Sequence, residues 1–296
     1  MAKILVAGLN PAWQQLFTLP SLRTGAVNRS TGFVSLASGK GMNVAKILAD
    51  RGHEVSLIQV LAGDRGSRVQ AACVERGIRS LHVFTDGETR VCATLLHAPD
   101  TTEVIAPFKV TDPKLSENLL AQIPDEPFDA LLVCGTMPEG MPENWCEVLA
   151  DRVAAPLLIW DSVASLSAKA LSRVTWLKVN AEEFRMLAPR IAASDARPAL
   201  LVTDGGEPAT VRFEEDGRWR DLRCVVPPLD TIVNPIGAGD TVTALLADGL
   251  LGGLSPRTAI AGALAAAAAS CLEVLPAVWD PQVAARLEMQ FQWMPA

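Results

Sequence analysis

Residues 234–251 read NPIGAGDTVTALLADGLL. Gly237, Ala238 and Gly239 form a glycine-rich turn, and the apolar residues after them recur at helical spacing. A turn of this kind at a helix start leaves N–H groups unpaired at the positive end of the helix dipole, which makes an anion site. Asp240 stands at that end. Read alone, it is either a helix-capping residue or a carboxylate set beside a bound phosphate. In the second case the turn's amides stabilise a transferring phosphoryl group while the carboxylate takes a hydroxyl proton.

A second glycine-flanked helix start lies upstream, SGKGMNVAKILA at 38–49. Lys40 falls in the first turn, where the dipole disfavours a cation. It is either solvated or placed against an anion or polar ligand. Asn43 is either a local capping amide or a group that reaches sugar hydroxyls. Arg90, after Thr89, opens a strand-like run; it is a solvated edge residue or a guanidinium aimed at a phosphate monoester. Gly39-Lys40 is followed by Gly41 rather than Ser or Thr, and no GxGxxG opens a helix. The P-loop and dinucleotide-binding readings therefore lose support.

Around these segments, apolar strand-length runs alternate with helical ones. Strands are expected at 3–8, 54–63, 131–135, 156–161, 176–180 and 199–204, and helices at 43–52, near 66–76, at 142–153, 165–172 and 181–188. Near-continuous apolar strands suit a parallel sheet covered on both faces, wound by right-handed crossovers. Residues 205–224 read as a hairpin around Asp216-Gly217. Two stretches, 10–36 and 90–108, alternate polar and apolar residues with no helix between. They are either a small antiparallel lid over the sheet edge or ordinary surface hairpins. The expected division is an α/β domain of 1–9, 37–89 and 109–296, with 10–36 and 90–108 as the lid.

Composition bounds the rest. The chain has 296 residues with 49% apolar and 20% charged side chains, a globular balance. The run within TAIAGALAAAAASCL is too short, and too rich in Ala, to span a bilayer; it reads as a helix buried by close packing. MAKILVAGLNPAW enters a strand directly, with no signal-peptide pattern. The six scattered cysteines suit free thiols in a reducing cytoplasm. A net charge of -7 argues against a nucleic-acid partner.

NPIGAGDT closely resembles the second signature of the PfkB sugar kinases, and SGKGMNVA resembles the first. The resemblance continues in order through GLNPAW (8–13), VNR (27–29), TR (89–90), CGTMPEG (134–140), WLKVNAEE (176–183) and LLVTDGG (200–206). It is nearest the 1-phosphofructokinase and tagatose-6-phosphate kinase branch. The implied fold is the ribokinase-like three-layer α/β/α sandwich with a β-clasp lid. The implied activity is transfer of the γ-phosphoryl group of ATP, with Mg2+, to a hydroxyl of a sugar phosphate. A monovalent cation and a homodimer formed through the lid are also compatible with the family, and no membrane or nucleic-acid partner is implied.

Carried over by position, Asp240 matches the catalytic base and Gly237, Ala238 and Gly239 the anion hole. Gly39, Lys40, Asn43 and Thr136 match sugar-side positions, and Arg90 matches the phosphate-binding arginine. Asn180 and Glu183 fit the NxxE element that organises magnesium and nucleotide phosphates, Glu183 acting indirectly through water or phosphate. Thr203 and Gly205 fall where the adenine nucleotide is contacted. The sequence also departs from the pattern. Gln14 replaces an Asp that grips sugar hydroxyls, Ser38 stands where a first Gly is usual, EVIAPFK (103–109) lacks the NEPG-like lid ending, and Pro208 replaces a nucleotide-loop glycine. These changes keep two alternatives open, a kinase for an unphosphorylated sugar or nucleoside and a weakened sugar-binding protein. They also lead to the expectation that Gln14→Asp raises activity on ketohexose phosphates.

Overall fold

A computed structural model describes the whole chain, Met1–Ala296. In chain order the first elements are β1 (Lys3–Ala7), β2 (Ala12–Thr18), β3 (Gly32–Ser38), α1 (Lys40–Asp50), β4 (Glu54–Ala62), α2 (Gly63–Glu75) and β5 (Arg79–Thr85). Then come β6 (Val91–His97), β7 (Asp100–Ile105), α3 (Leu115–Ala121), β8 (Ala130–Cys134), α4 (Trp145–Arg152), β9 (Leu157–Asp161) and α5 (Ala168–Leu171). Next are β10 (Trp176–Asn180), α6 (Ala181–Ala192), β11 (Ala199–Asp204), β12 (Glu207–Glu215) and β13 (Arg218–Val225). The chain ends with α7 (Ala238–Leu251), α8 (Pro256–Ser270), α9 (Pro281–Glu288) and β14 (Gln292–Pro295).

The main sheet has ten strands in the order β14-β13-β12-β11-β10-β9-β8-β1-β4-β5. From β11 to β5 every neighbouring pair is parallel, while β12, β13 and β14 continue the sheet antiparallel. Period-two alternation sends each strand's side chains to two cores. From β1, Ile4 and Val6 join α1, α2, α7 and α8 on one face, whereas Leu5 and Ala7 join α3, α4, α5 and α6 on the other. This is the three-layer α/β/α arrangement expected from the near-continuous apolar strands.

The alanine-rich run forms α8, whose start is capped by Ser255 with Pro256 in the first turn. It packs on α7 so closely that a Cβ on Gly249 would lie 2.9 Å from Ala259 Cβ. No helix is long and apolar enough to cross a membrane. All six cysteines are free thiols.

The alternating stretches form a separate four-stranded sheet, β3-β2-β6-β7. One detail differs from expectation: β2 and β6 pair in parallel, so the small sheet is mixed rather than antiparallel. Each hairpin, β2–β3 and β6–β7, is antiparallel internally. Their first strands leave the same end of the main sheet, after β1 and β5, and must run in the same direction where they meet. β3 continues to Ser38 and leads directly into α1.

Helix bounds also shift. α1 begins at Lys40 rather than 43, α5 is only Ala168–Leu171, and α6 continues through Pro189 to Ala192.

Candidate active site

Between β1 and β8 the winding of the sheet changes direction, and ligands of such sheets bind outside the carboxyl ends of the strands there. Backbone contact fixes this point. A Cβ on Gly41 would stand 2.3 Å from Gly8 Cα, so two glycines let the first turn of α1 rest on the end of β1. Gly39 holds φ +103°, a conformation open to glycine, as the chain passes from β3 into α1. After β8, Gly135 leaves room for Lys40: its Cβ would lie 3.1 Å from that of the lysine.

Lys40 Nζ donates to Asp161 Oδ1 at 2.8 Å and to Glu183 Oε1 at 3.1 Å. Asp161, fully buried at the end of β9, also accepts from Lys178 Nζ at 3.2 Å and Thr243 Oγ1 at 2.5 Å. Burial opposes the charge of Asp161, but Lys178, Lys40 and the hydrogen bonds from Lys40 and Thr243 outweigh it and hold its pKa below the ordinary value. Burial likewise opposes the charge of Lys40. Asp161, Glu183 and Asp240 outweigh it and raise that pKa. The dipole cost foreseen for Lys40 is thus met by carboxylates of the protein itself.

Asp240 occupies the first turn of α7, whose N-cap Gly237 has φ +86°. It does not cap the helix. Its Oδ2 accepts from Asn43 Nδ2 at 2.8 Å, and Asn43 Oδ1 accepts from Ser38 Oγ at 3.2 Å. Asn43 is therefore tied to the far end of the site rather than to its own helix start. Ser38, a departure from the glycine pattern, supplies its second anchor. Burial raises the pKa of Asp240 despite the opposing charge of Lys40 and the Asn43 bond. Beside this carboxylate, the N–H groups of Gly239 and Asp240 have no backbone acceptor. Lys178 Nζ lies under the turn, 3.1 Å from where a Gly239 Cβ would stand. Gly237, Ala238 and Gly239 thus form a helix-start turn with unpaired N–H groups beside a buried carboxylate, the kind of place that receives an anion.

On the other side of β1, Arg90 is half-buried and donates to the carbonyls of Asn10 at 2.9 Å and Pro11 at 3.4 Å. No carboxylate pairs with it. Asn10 Nδ2 donates to Thr136 Oγ1 at 3.1 Å, while Asn10 Oδ1 is buried without a donor. Gln14 is buried in the small sheet, bonded to Thr94.

Toward β11, Asn180 and Glu183 form a reciprocal capping box at the start of α6, at 2.8 and 2.9 Å. Thr203 is the register partner of Asn180. Gly205 stands exposed just past β11, at φ +58°, with nothing within 4 Å of where its Cβ would be.

Bonded contacts join Asp240 to Asn43, and separately Lys40 to Asp161 and Glu183; the charge of Lys40 couples the two groups, and register brings Asn180 to Thr203. Asp161, Lys178, Thr243 and Asn10 belong to the same place but were not singled out from sequence. A signal for two of them was present: a charge ending LLIWD and another inside WLKV interrupt strands that are otherwise apolar, and buried charges mark sites.

Residues 6–278 match the pfkB family of carbohydrate kinases. The chain is 25% identical to a tagatose-6-phosphate kinase from Staphylococcus epidermidis, over 84% of this chain and 85% of that one. It is 29% identical to a 1-phosphofructokinase from Xanthomonas campestris pv. campestris, over 82% of each. Among solved structures, phosphofructokinase-2 from Escherichia coli superposes with a TM-score of 0.80 at 18% identity, over 97% of this chain and 99% of that one. The architecture is accordingly the ribokinase-like sandwich. With a buried carboxylate beside unpaired amides at the switch point and a family match over nearly the whole length, the chain belongs to the pfkB carbohydrate kinases.

Proposed function

We propose that this carbohydrate kinase transfers the γ-phosphoryl group of ATP to a hydroxyl of a sugar phosphate, in the manner of a 1-phosphofructokinase or tagatose-6-phosphate kinase. The observation that carries the reading is Asp240. Asn43 occupies its Oδ2 at 2.8 Å, which leaves Oδ1 to take the proton of an acceptor hydroxyl. Burial raises its proton affinity, which suits a general base better than an exposed carboxylate would. The free N–H groups of Gly239 and Asp240, with Lys178 beneath them, meet the charge of the group in transfer.

The acceptor's own phosphate is assigned to Arg90. Its guanidinium is half-buried, bonded only to carbonyls, and so retains both charge and donors for an anion. That feature favours a phosphorylated acceptor over an unphosphorylated sugar or a nucleoside. Gly39, Lys40, Asn43, Thr136 and Gln14 border the sugar.

Asn180, Glu183, Thr203 and Gly205 lie along the strand ends where the nucleotide would extend. ATP supplies the phosphoryl group and Mg2+ offsets the charge of its phosphates. No group of three ligating side chains gathers here. Mg2+ needs none, since it keeps most of its waters and is bound through one or two carboxylates and the phosphates. Glu183, by this reading, acts on the metal through water.

The test is a screen with magnesium-ATP over fructose 1-phosphate, fructose 6-phosphate, tagatose 6-phosphate, their unphosphorylated sugars and nucleosides. Phosphorylation of a sugar phosphate, with KM for it raised in Arg90→Ala and KM for ATP unchanged, is the expected result. Turnover confined to uncharged acceptors would overturn it, and turnover of none would favour the sugar-binding alternative.

A further inference from the structure

Lys46 lies on α1, one turn after Asn43, and is only 9% exposed. Lysine is rarely enclosed without a carboxylate to meet it. Lys40 and Lys178 share Asp161, but Lys46 joins no ion pair, and its Nζ donates to one group, the carbonyl of Ala37, at 3.1 Å. Burial lowers its pKa to about 8; Arg76 on α2 acts the same way, while Asp240 on α7, Asp50 on α1 and Cys73 on α2 oppose the shift. A methionine would fill the same space without a buried cation. Residues that break a local rule in this way tend to serve the site.

The strand that Lys46 holds leads to that site. β3 is the outer strand of the small sheet. The β2–β3 ladder uses the even-numbered residues of β2: Thr18 O accepts from Thr31 N–H, whereas Trp13 N–H turns the other way, to Arg90 O. Ala37 stands opposite Trp13, so its carbonyl faces the open edge of β3, where Lys46 meets it. That carbonyl belongs to the planar peptide that carries Ser38, and holding it sets the Ser38 backbone. Ser38 Oγ donates to Asn43 Oδ1 at 3.2 Å, and Asn43 Nδ2 donates to Asp240 Oδ2 at 2.8 Å. Two successive turns of α1 thus grip two consecutive residues of β3, and the line of bonds ends on Asp240.

We propose that Lys46 is a positioning residue for the catalytic base: by holding the Ala37 carbonyl it keeps Ser38 and Asn43 in line, and Asn43 in turn orients Asp240. Lys46 acts through these residues and through its charge, whose attraction for Asp240 is mutual. The inference rests on the reading of Asp240 as the base of a sugar-phosphate kinase.

The experiment uses Lys46→Met, which keeps the side-chain length and removes both charge and donor, with Ser38→Ala and the double variant, all in the full chain. With magnesium-ATP and either fructose 1-phosphate or tagatose 6-phosphate, each single variant should lower kcat about tenfold and leave KM for ATP unchanged. The double variant should be no slower than the worse single one, because both act on one line of bonds. Effects that multiply would place Lys46 outside that line and overturn the proposal. The pH profile of kcat/KM gives a readout that a merely structural role would not move. The Asn43 bond lowers the pKa of Asp240, so loosening it should carry the acid limb to higher pH in both single variants. An unmoved limb, or native kcat in Lys46→Met, would remove Lys46 from the role.

Ligand-free melts test the buried cation itself. The folded pKa of Lys46 lies below its unfolded value, so the unfolded chain binds the extra proton and this residue's cost is relieved as pH rises from about 7 to about 10. The melting temperature of Lys46→Met, measured against the native protein, should be most favourable near pH 7 and decline toward pH 10. A difference that stays constant would show a solvated lysine and overturn the clamp. If the native protein phosphorylates no sugar phosphate, the kinase reading fails and the role of Lys46 falls with it; the melts still decide whether its cation is buried.

Discussion

Two buried carboxylates in the network carry opposite perturbations, and their variants should behave in opposite ways. Asp240 has its pKa raised by burial. The folded state therefore holds that proton more tightly than the unfolded chain does, and stability is lost as pH rises from the ordinary carboxylate range through the raised value. Asp240→Asn should melt at a higher temperature than the native protein at pH 7, with the gain fading toward pH 4, while kcat falls about 10²-fold or more. Paired melts and steady-state rates check both halves; near-native kcat would remove Asp240 as the base. Asp161 is the reverse case. Its pKa is held down chiefly by Lys178 and Lys40 against the effect of burial. The stability it contributes is present above the ordinary carboxylate range and is lost as pH falls through the depressed value. Asp161→Asn strands the buried Lys178 and leaves Lys40 with Glu183 alone, and should cost about 3–5 kcal/mol in denaturant unfolding at pH 7. A loss under about 1 kcal/mol, the scale of a surface ion pair, would show that the lysines find other partners. Asp240 was legible in sequence because glycines announce a helix start. Asp161 was not, because its partners Lys40 and Thr243 lie far along the chain on other elements.

The element that most depends on close fit is the start of α1. Gly41→Ala would press a methyl group to 2.3 Å from Gly8 Cα, and overpacking of this kind typically costs about 1–3 kcal/mol. The helix can escape only by lifting its first turn, which carries Lys40 and Asn43. Stability and kcat should therefore fall together. A variant of native stability with normal kcat would show that the helix start tolerates displacement. Periodicity revealed most of the parallel strands. It missed β5, where RSLHVFT is only partly covered, and α3, a seven-residue helix too short for a periodic signal. The bounds of α6 were misread because Pro189 looks like a stop, yet it sits near the end of a helix begun by a strong capping box. The parallel pairing of β2 with β6 could not be read from alternation, which reports which face a residue is on but not strand direction.

At the scale of the molecule, alternation of strands and helices implied a covered parallel sheet, while strand order and the switch point came only with the fold. The small sheet leaves one apolar surface open. Phe17 and Phe33 pack at 4.9 Å between ring centroids, and Phe33 and Val104, on the same face by register, are 55% and 60% exposed. We expect this face to be covered by a second copy of the chain. Sedimentation should give a dimer, and Phe33→Asp should give a monomer with little change in melting temperature. A native monomer at micromolar concentration would refute that arrangement.

The network around Asp161 has a consequence for how the protein is made. Its members are spread from Lys40 through Lys178 to Thr243, so the ribosome delivers the last of them after most of the chain has emerged. Until then Asp161 has both of its lysines but lacks the Thr243 hydroxyl and the wall that α7 supplies. Long-range parallel pairing is already slow to form and prone to aggregation. The growing chain should accordingly engage chaperones until α7 docks, and that docking is the step at which an aggregation-prone intermediate becomes a committed native molecule.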